Sequence, residues 1–291
     1  MEGLKADRIE IRAKDGAAIR AELYKDYVKN TKGAVVVSHG FGEHLRAYRR
    51  FANRLAEAGY AVFVFDQHGH GDLPSLKMRG IIPSYQNFLD DLHSVSSEAR
   101  LRFPGIPVAL FGHSMGGNIV ANYLLSRGQA GYSCAVLESP WFGLYKNYSP
   151  ITVGLAWVLG RLSPKIATVN KLSASDLTGD AARAGEYKKD VLYHNRISMR
   201  MFSGINKGCA DALQGAGSIK IPLFIAAAAH DRVVSNEAIA RFVSAAGPNV
   251  TSKEYDCCHA IHNDTQSEAL YRDTISFFDK HVGTDRETEI C

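Results

Sequence analysis

Short apolar runs alternate with amphipathic stretches along most of this chain. Such runs are typical of strands buried on both faces of a sheet, and they occupy residues 34–37, 61–65, 108–111, 135–137 and 222–229. Between them, apolar side chains recur at helical spacing, as in residues 48–58 and 84–102. This order predicts an α/β fold in which helices cover both faces of a mostly parallel sheet.

The two ends of the chain carry further patterns. Residues 9–11 and 18–24 flank the turn signal Asp15-Gly16, which predicts an antiparallel pair of strands. The C-terminal part predicts a strand, a helix and a frayed polar tail, at residues 250–255, 264–281 and 283–291.

The alternation breaks between residues 143 and 217, where no short β-rich run lies between turn signals. This segment predicts a helical cap, inserted into a core formed by residues 1–142 and 218–291. The cap contains three helical stretches, at residues 151–162, 179–192 and 198–213. The first is apolar nearly all round, so it is either buried inside the cap or forms a rim that meets acyl chains or lipid.

Composition excludes several classes of protein. A hydrophobic fraction of 46% and a charged fraction of 22% are ordinary for a globular protein. The net charge of +4 is small and its cations are scattered, which argues against a nucleic-acid surface. The apolar stretch at residues 151–159 is too short to span a bilayer. Residues 1–12 contain no hydrophobic leader, which favours a cytoplasmic protein.

The candidate chemistry centres on Gly112-His113-Ser114-Met115-Gly116, which lies between a predicted strand and a predicted helix. This G-x-S-x-G pattern predicts a nucleophile elbow, where a tight turn exposes the hydroxyl of Ser114. The backbone N–H of Met115, at the start of the helix, is then free to donate to an oxyanion. His39-Gly40 places the N–H of Phe41 as the second oxyanion donor.

A serine nucleophile needs a base, and the base needs a carboxylate that holds it in one tautomer. Asp231 follows the strand at residues 222–229, and His259 follows the strand at residues 250–255. Both therefore lie at the carboxyl ends of later strands, in the chain order serine, acid, histidine. We predict that Asp231 and His259 take these two roles.

Four other residues compete for roles in this site. Glu138 ends the strand at residues 135–137 and is an alternative acid. His262 is an alternative base, although its position favours a capping or packing role. The side chains of His113 and His230 are expected to point away from the site and to be structural.

Two motifs suggest other chemistry. His68-x-His70-x-Asp72 imitates a metal-binding run, but its Gly-rich spacing suits a tight turn equally well. Cys257-Cys258 beside His259 is either redox-sensing or a pair of small buried residues. The five cysteines include no C-x-x-C pair, which favours reduced thiols. We expect neither a metal nor an organic cofactor.

Five motifs in order resemble the monoacylglycerol lipases and related lysophospholipases, the capped serine hydrolases of the α/β-hydrolase superfamily. They span most of the chain and are His39-Gly40-Phe41-Gly42-Glu43-His44, Asp66-x-x-Gly69-x-Gly71, Gly112-His113-Ser114-Met115-Gly116-Gly117, His230-Asp231-Arg232 and His259-x-x-His262. The resemblance implies an α/β-hydrolase fold, Ser114 as nucleophile, Asp231 and His259 as its partners, and Phe41 and Met115 as oxyanion donors. It also implies that residues 176–201 line or close the acyl pocket.

The chain departs from the family pattern at two places, Asp72-Leu73 and Cys257-Cys258, and neither is a reacting group. The resemblance implies a serine ester hydrolase that acts through an acyl-enzyme on monoacylglycerols, lysophospholipids or similar esters. The apolar stretch at residues 151–162 adds the expectation of transient membrane contact through the cap. A small-ester carboxylesterase, a peptidase of the same fold and a non-catalytic binding protein are the alternatives.

Overall fold

The computed structural model describes residues 5–26, 30–73, 75–146 and 148–282. The predicted frayed tail at residues 283–291 lies outside them. The strands in the described residues are β1 (Asp7–Arg12), β2 (Ala18–Tyr24), β3 (Gly33–Ser38), β4 (Tyr60–Phe65), β5 (Val108–His113), β6 (Tyr132–Glu138), β7 (Ala167–Val169), β8 (Arg196–Ser198), β9 (Leu223–Ala228) and β10 (Val250–Tyr255). The α-helices there are α1 (Arg49–Glu57), α2 (Gln86–Arg102), α3 (Met115–Ser126), α4 (Pro150–Leu162), α5 (Ala174–Leu177), α6 (Ala181–Lys189), α7 (Met199–Gly215), α8 (Asn236–Ala246) and α9 (Ser267–Val282).

Eight of these strands form one sheet, in the order β1-β2-β4-β3-β5-β6-β9-β10. The β1–β2 and β2–β4 pairs are antiparallel, and every later pair in that order is parallel. The predicted hairpin and the predicted mostly parallel sheet are therefore confirmed. Because the carboxyl ends of parallel strands share one edge, the loops after β3, β5, β6, β9 and β10 meet at that edge.

The core lies on both faces of the sheet because the central strands are buried throughout. Neighbouring residues on a strand point to opposite faces: Val36 joins one hydrophobic cluster, and Val35 and Val37 join the other. Helices α2, α3, α7 and α8 cover the first face, and α1 and α9 cover the second. This explains why the strands read as continuous apolar runs.

Residues 143–217, here called the insertion, join β6 to β9 and contribute no strand to the large sheet among their described residues. The insertion holds α4 to α7 and a short antiparallel pair, β7 with β8. The sequence analysis predicted no strand in this segment, and that prediction is wrong because β7 and β8 lie within it. Three residues on each strand are too few to produce a periodic pattern, so this pair had no readable signal.

Helix α4 contacts α7 through a small-residue face. Ala156 and Gly160 are its buried residues, and a Cβ on Gly160 would lie 2.8 Å from the backbone nitrogen of Arg200. Large apolar side chains on the rest of the helix remain exposed, namely Ile151, Leu155, Trp157, Val158 and Leu162. Of the two predicted alternatives, complete burial is therefore excluded. No helix within the described residues has the length and apolar character needed to cross a membrane.

The first turn of α3 packs directly against the backbone at the end of β3. A Cβ on Gly116 would lie 1.9 Å from the carbonyl oxygen of Ser38. That atom is backbone, so neither partner can move aside without displacing a strand or a helix. Gly154, in the exposed part of α4, has no atom within 4 Å of the corresponding position.

We expect Gly116→Ala to destabilise the fold by at least about 2 kcal/mol, because overpacking of this kind forces the backbone apart. Gly154→Ala is the matched control and should stabilise by up to about 1 kcal/mol, since alanine is the better helix former. Urea unfolding followed by circular dichroism measures both. Equal unfolding midpoints for the two variants would contradict the packing argument.

Candidate active site

Ser114 occupies a strained turn between β5 and α3. Its backbone angles are φ 53° and ψ −115°, a region that residues other than glycine rarely adopt. Two neighbours fix this conformation: the N–H of Ser114 donates to the carbonyl of Glu138 (2.9 Å), and the N–H of Trp141 donates to the carbonyl of Ser114 (2.9 Å). The turn can be this tight because residue 112 is glycine. A Cβ at that position would lie 2.5 Å from the carbonyl oxygen of Gly116.

A chain of hydrogen bonds joins Ser114 to two distant residues. The Oγ of Ser114 lies 2.9 Å from Nε2 of His259, and Nδ1 of His259 lies 2.7 Å from Oδ2 of Asp231. The other oxygen of Asp231 accepts from the N–H groups of Val233 and Val234. All three linked side chains are buried. The loops after β5, β9 and β10 thus bring the three predicted residues together.

The electrostatics of this chain favour proton transfer from the serine. Burial by itself lowers the pKa of His259, but the carboxylate of Asp231 and its hydrogen bond outweigh that effect and raise the pKa above 6.5. With its Nδ1–H directed at Asp231, the imidazole has Nε2 free to accept the proton of the Ser114 hydroxyl.

The alternative acid and base pair with each other instead. Glu138 accepts a hydrogen bond from the backbone N–H of His262 (2.8 Å) and lies 3.0 Å from its Nδ1. The ring of His262 stacks on Tyr48, with centroids 4.5 Å apart. Neither side chain hydrogen-bonds to Ser114. The expected packing role describes His262 correctly.

His113 and His230 behave differently from each other. His230 is exposed, and its Nε2 lies 2.7 Å from Asp256, as expected for a residue outside the site. The orientation predicted for His113 is wrong, because its buried ring packs 4.9 Å from that of His259 and 4.8 Å from that of His262. Its side chain points to the face of β5 over which the loop after β10 folds, and sequence spacing alone does not place that loop.

The loop after β3 carries the predicted oxyanion donor Phe41. Glu43 shapes this loop by accepting from the N–H of Gly40 (2.8 Å) and from the hydroxyl of Tyr48 (2.6 Å). In the described residues, no hydrogen bond engages the N–H of Phe41 or of Met115, so both remain available. The structural role of Glu43 was missed by the sequence reasoning; its signal is the i+3 spacing from Gly40.

The insertion also contributes to this loop. Gly42 has φ 74°, and a Cβ there would lie 2.1 Å from the carbonyl oxygen of His194. The N–H of His194 donates to the carbonyl of Gly42 (3.0 Å). His44 lies 2.9 Å from Asp190. Residues of the insertion therefore hold the loop from outside the core.

A cavity of about 510 Å³ opens above Ser114 and His259. Phe41 lies on its wall. The segment expected to line it, residues 176–201, contributes Asp176, Leu177, Tyr193, His194 and Asn195.

Comparison with known proteins agrees with this geometry. Residues 29–266 match the family described as serine aminopeptidase, S33. The chain belongs to this family of serine hydrolases. It is 29% identical over 257 residues to the monoacylglycerol lipase of Mycolicibacterium smegmatis, covering 86% of this chain and 89% of that protein. It is also 29% identical over 237 residues to an uncharacterized abhydrolase domain-containing protein of Dictyostelium discoideum, and spans 25% of that protein's length.

A solved structure gives the same fold. A soluble variant of monoglyceride lipase from Saccharomyces cerevisiae, in complex with a substrate analog, superposes with a TM-score of 0.85 at 22% identity, covering 98% of this chain and 97% of that one. The resemblance to monoacylglycerol lipases and the α/β-hydrolase fold predicted from the sequence are therefore confirmed.

In this serine hydrolase the metal-like run does not converge. His68 contacts Asp91 (2.7 Å) and Asp15 (3.1 Å), while Nδ1 of His70 donates to the carbonyl of His68. Asp72 instead lies 3.8 Å from Arg20. Across the described part of the chain, one group of three side chains could offer ligand atoms within 4.8 Å of one another, comprising His113, Glu138 and His262. The expected absence of a metal stays a prediction.

The cysteines next to His259 differ in exposure. Cys257 is buried and Cys258 is partly exposed. Burial raises the pKa of both thiols above the usual value, and the nearby carboxylate of Asp264 adds to the effect. Both sulfurs are therefore mostly thiols near neutral pH, which disfavours a reactive redox pair.

We expect iodoacetamide at pH 7.5 to alkylate Cys258 faster than Cys257 in the native protein, and both more slowly than in the urea-unfolded protein. Exposure sets the order, and the raised pKa of each thiol sets the low rate. Peptide mapping by mass spectrometry measures each site. Reaction of Cys257 at the unfolded rate would favour the redox interpretation.

Proposed function

We propose that this serine hydrolase cleaves carboxylic esters of monoacyl glycerolipids through an acyl-enzyme on Ser114. The observation that carries the proposal is the hydrogen-bond chain from Ser114 through His259 to Asp231, at the base of a cavity. Asp231 orients the imidazole and stabilises the imidazolium that forms during the reaction.

The reaction has two halves. Ser114 Oγ attacks the ester carbonyl while His259 Nε2 takes its proton; the tetrahedral intermediate then collapses, and His259 returns the proton to the leaving alcohol. Water next attacks the acyl-enzyme, with His259 as base, and releases the carboxylic acid and Ser114. No metal or organic cofactor takes part in these steps.

The oxyanion of each tetrahedral intermediate would be held by the N–H groups of Phe41 and Met115. Both lack other partners in the described residues, and one donor of this kind contributes about 3 kcal/mol to lowering the barrier. Since the donors are backbone groups, the hydrogen bonds of Glu43 matter more to this step than the identities of Phe41 and Met115.

The substrate class rests on the relatives and on the insertion, which we propose acts as the cap. Proteins named monoacylglycerol lipase align with most of the chain. The family description also raises aminopeptidase activity. A substrate ammonium group needs a carboxylate within reach, but of the two acids in the cavity wall Asp176 accepts from Ser173, and the buried Glu43 accepts from Gly40. Ester hydrolysis therefore fits this cavity better than aminopeptidase activity.

We also propose that α4 makes transient contact with a lipid surface and that the enzyme works in the cytoplasm. Ile151, Leu155 and Leu162 are 83%, 57% and 74% exposed and recur on one face of α4 at helical spacing. An apolar helix face of this kind inserts shallowly at a lipid interface.

A chain-length series of glycerol monoesters tests the substrate class. We expect kcat/KM to rise from butanoyl to a medium or long acyl chain, because burial of each added CH₂ is worth about 0.8 kcal/mol. A profile that peaks at the shortest ester would favour a small-ester carboxylesterase instead.

Ser114→Ala should abolish both hydrolysis and labelling by a fluorophosphonate probe, while the protein remains folded. Removal of the nucleophile costs on the order of 10⁶ in kcat in serine proteases of the same chemistry. Ser252→Ala, at an exposed position of β10, is the matched control and should keep both. Labelling of the Ser114→Ala protein would place the nucleophile elsewhere, and an unlabelled wild type would favour a binding protein.

The pH profile tests the pair of His259 and Asp231. The imidazole must be neutral to accept the serine proton, so kcat/KM should rise with pH, with a midpoint above 6.5 because the pKa of His259 is raised. Asp231→Asn should lower kcat by about 10⁴ and shift the midpoint downward. Asp256→Asn, at the exposed Asp256 that pairs with His230, should change neither value; a midpoint unaffected by Asp231→Asn would contradict the assignment.

A further inference from the structure

Three cationic side chains line the cavity that holds Ser114. They come from separate segments: Lys146 from the loop after β6, Lys171 from the segment between β7 and α5, and Arg232 from the loop after β9. Arg232 directly follows Asp231 in the chain. Three independent loops thus place positive charge around one opening of about 510 Å³.

None of the three cations has a hydrogen bond or ion pair with an acid in the described residues. Some other surface cations of the same chain do have such partners. Lys32 lies 2.8 Å from Asp279, and Lys253 lies 2.6 Å from Asp273. What sets Lys146, Lys171 and Arg232 apart is that all three line one cavity.

The acids in the cavity wall are already engaged. Oδ2 of Asp176 accepts from the N–H and the hydroxyl of Ser173, where it caps α5. Glu43 is buried, and its Oε2 accepts from the N–H of Gly40 and the hydroxyl of Tyr48. The cavity wall therefore combines three exposed cations with two acids that are held by their own loops.

We propose that Lys146, Lys171 and Arg232 form an anion subsite for the phosphate of a lysophospholipid, such as a monoacylglycerol phosphate. This rests on the ester hydrolysis proposed above and narrows its substrate class. A phosphate offers several oxygens to donors from different loops, and an arginine binds it in bidentate fashion. Apolar residues of the same wall, including Tyr148 and Leu172, would contact the remainder of the lipid.

The test compares two soluble substrates below their micellar concentrations, 1-octanoylglycerol and 1-octanoylglycerol 3-phosphate. An exposed ion pair contributes roughly two- to fivefold, so we expect kcat/KM to favour the phosphate substrate about tenfold at low salt. The preference should shrink in 0.5 M NaCl because salt screens exposed charges. A wild-type ratio of one or less overturns the proposal.

The variant Lys146→Gln/Lys171→Gln/Arg232→Gln should bring this ratio close to one. The readout is the ratio of kcat/KM for the two substrates, measured on the same protein. A general loss of activity lowers both values equally and leaves the ratio unchanged. Lys77→Gln/Lys165→Gln removes two cations that lie outside this cavity and should keep the tenfold preference. A triple variant that retains the preference, or a control that loses it, overturns the assignment.

Two further arms separate this subsite from the proposed function and from other anions. Glycerol 3-phosphate, but not glycerol, should slow labelling of wild type by an uncharged fluorophosphonate; protection without hydrolysis of either ester supports the subsite while the proposed function fails. Absence of protection overturns the subsite.

A glycerol ester of hexanedioic acid carries its charge on the acyl side, and a larger preference for that ester than for the phosphate overturns the phosphate assignment.

Discussion

The active site depends on a backbone contact that leaves no room for a side chain. The first turn of α3 lies so close to the ends of β3 and β5 that only glycine fits at positions 112 and 116. This approach forces Ser114 into a positive φ and directs its hydroxyl out of the sheet edge. Hydrogen bonds to the backbone of Glu138 and Trp141 hold the strained turn. The strain is therefore maintained by the sheet and does not depend on a ligand.

Around this turn the carboxylates hold geometry as much as charge. Asp231 fixes its own loop through two backbone amides and orients His259 with its second oxygen. Glu43 holds the loop that carries Phe41, and Glu138 fixes His262 beside His113. A buried carboxylate is costly unless it is well bonded. These acids thus hold the loops of the site in one arrangement. That arrangement fixes the positions of Ser114, His259 and the two backbone donors.

The sequence predicted the core well because the buried strands and the elbow leave local signals. Apolar runs and glycine spacing depend on neighbouring residues, so the strand of Val35 and the turn of Ser114 were both readable. The order of serine, acid and histidine along the chain identified Asp231 and His259 as the partners of Ser114. The orientation of His113 and the brace made by Glu43 were not readable, since both depend on loops that meet only in the folded protein. The pair β7 and β8 was too short for any periodicity to appear.

The insertion and the catalytic edge cannot vary independently. His194 exchanges backbone contacts with Gly42, and Asp190 contacts His44. The ring of His194 also lies 5.8 Å from that of Phe41. The same segment therefore shapes the cavity wall and supports the loop with an oxyanion amide. A change that widens the cavity from this side would therefore also shift that amide. The segments of Lys146 and Arg232 are tied to the acid instead, because the N–H of Tyr145 donates to the carbonyl of Val233 (3.0 Å) and the N–H of Val233 donates to Asp231. Each side of the cavity is thus attached to a loop that positions a reacting group.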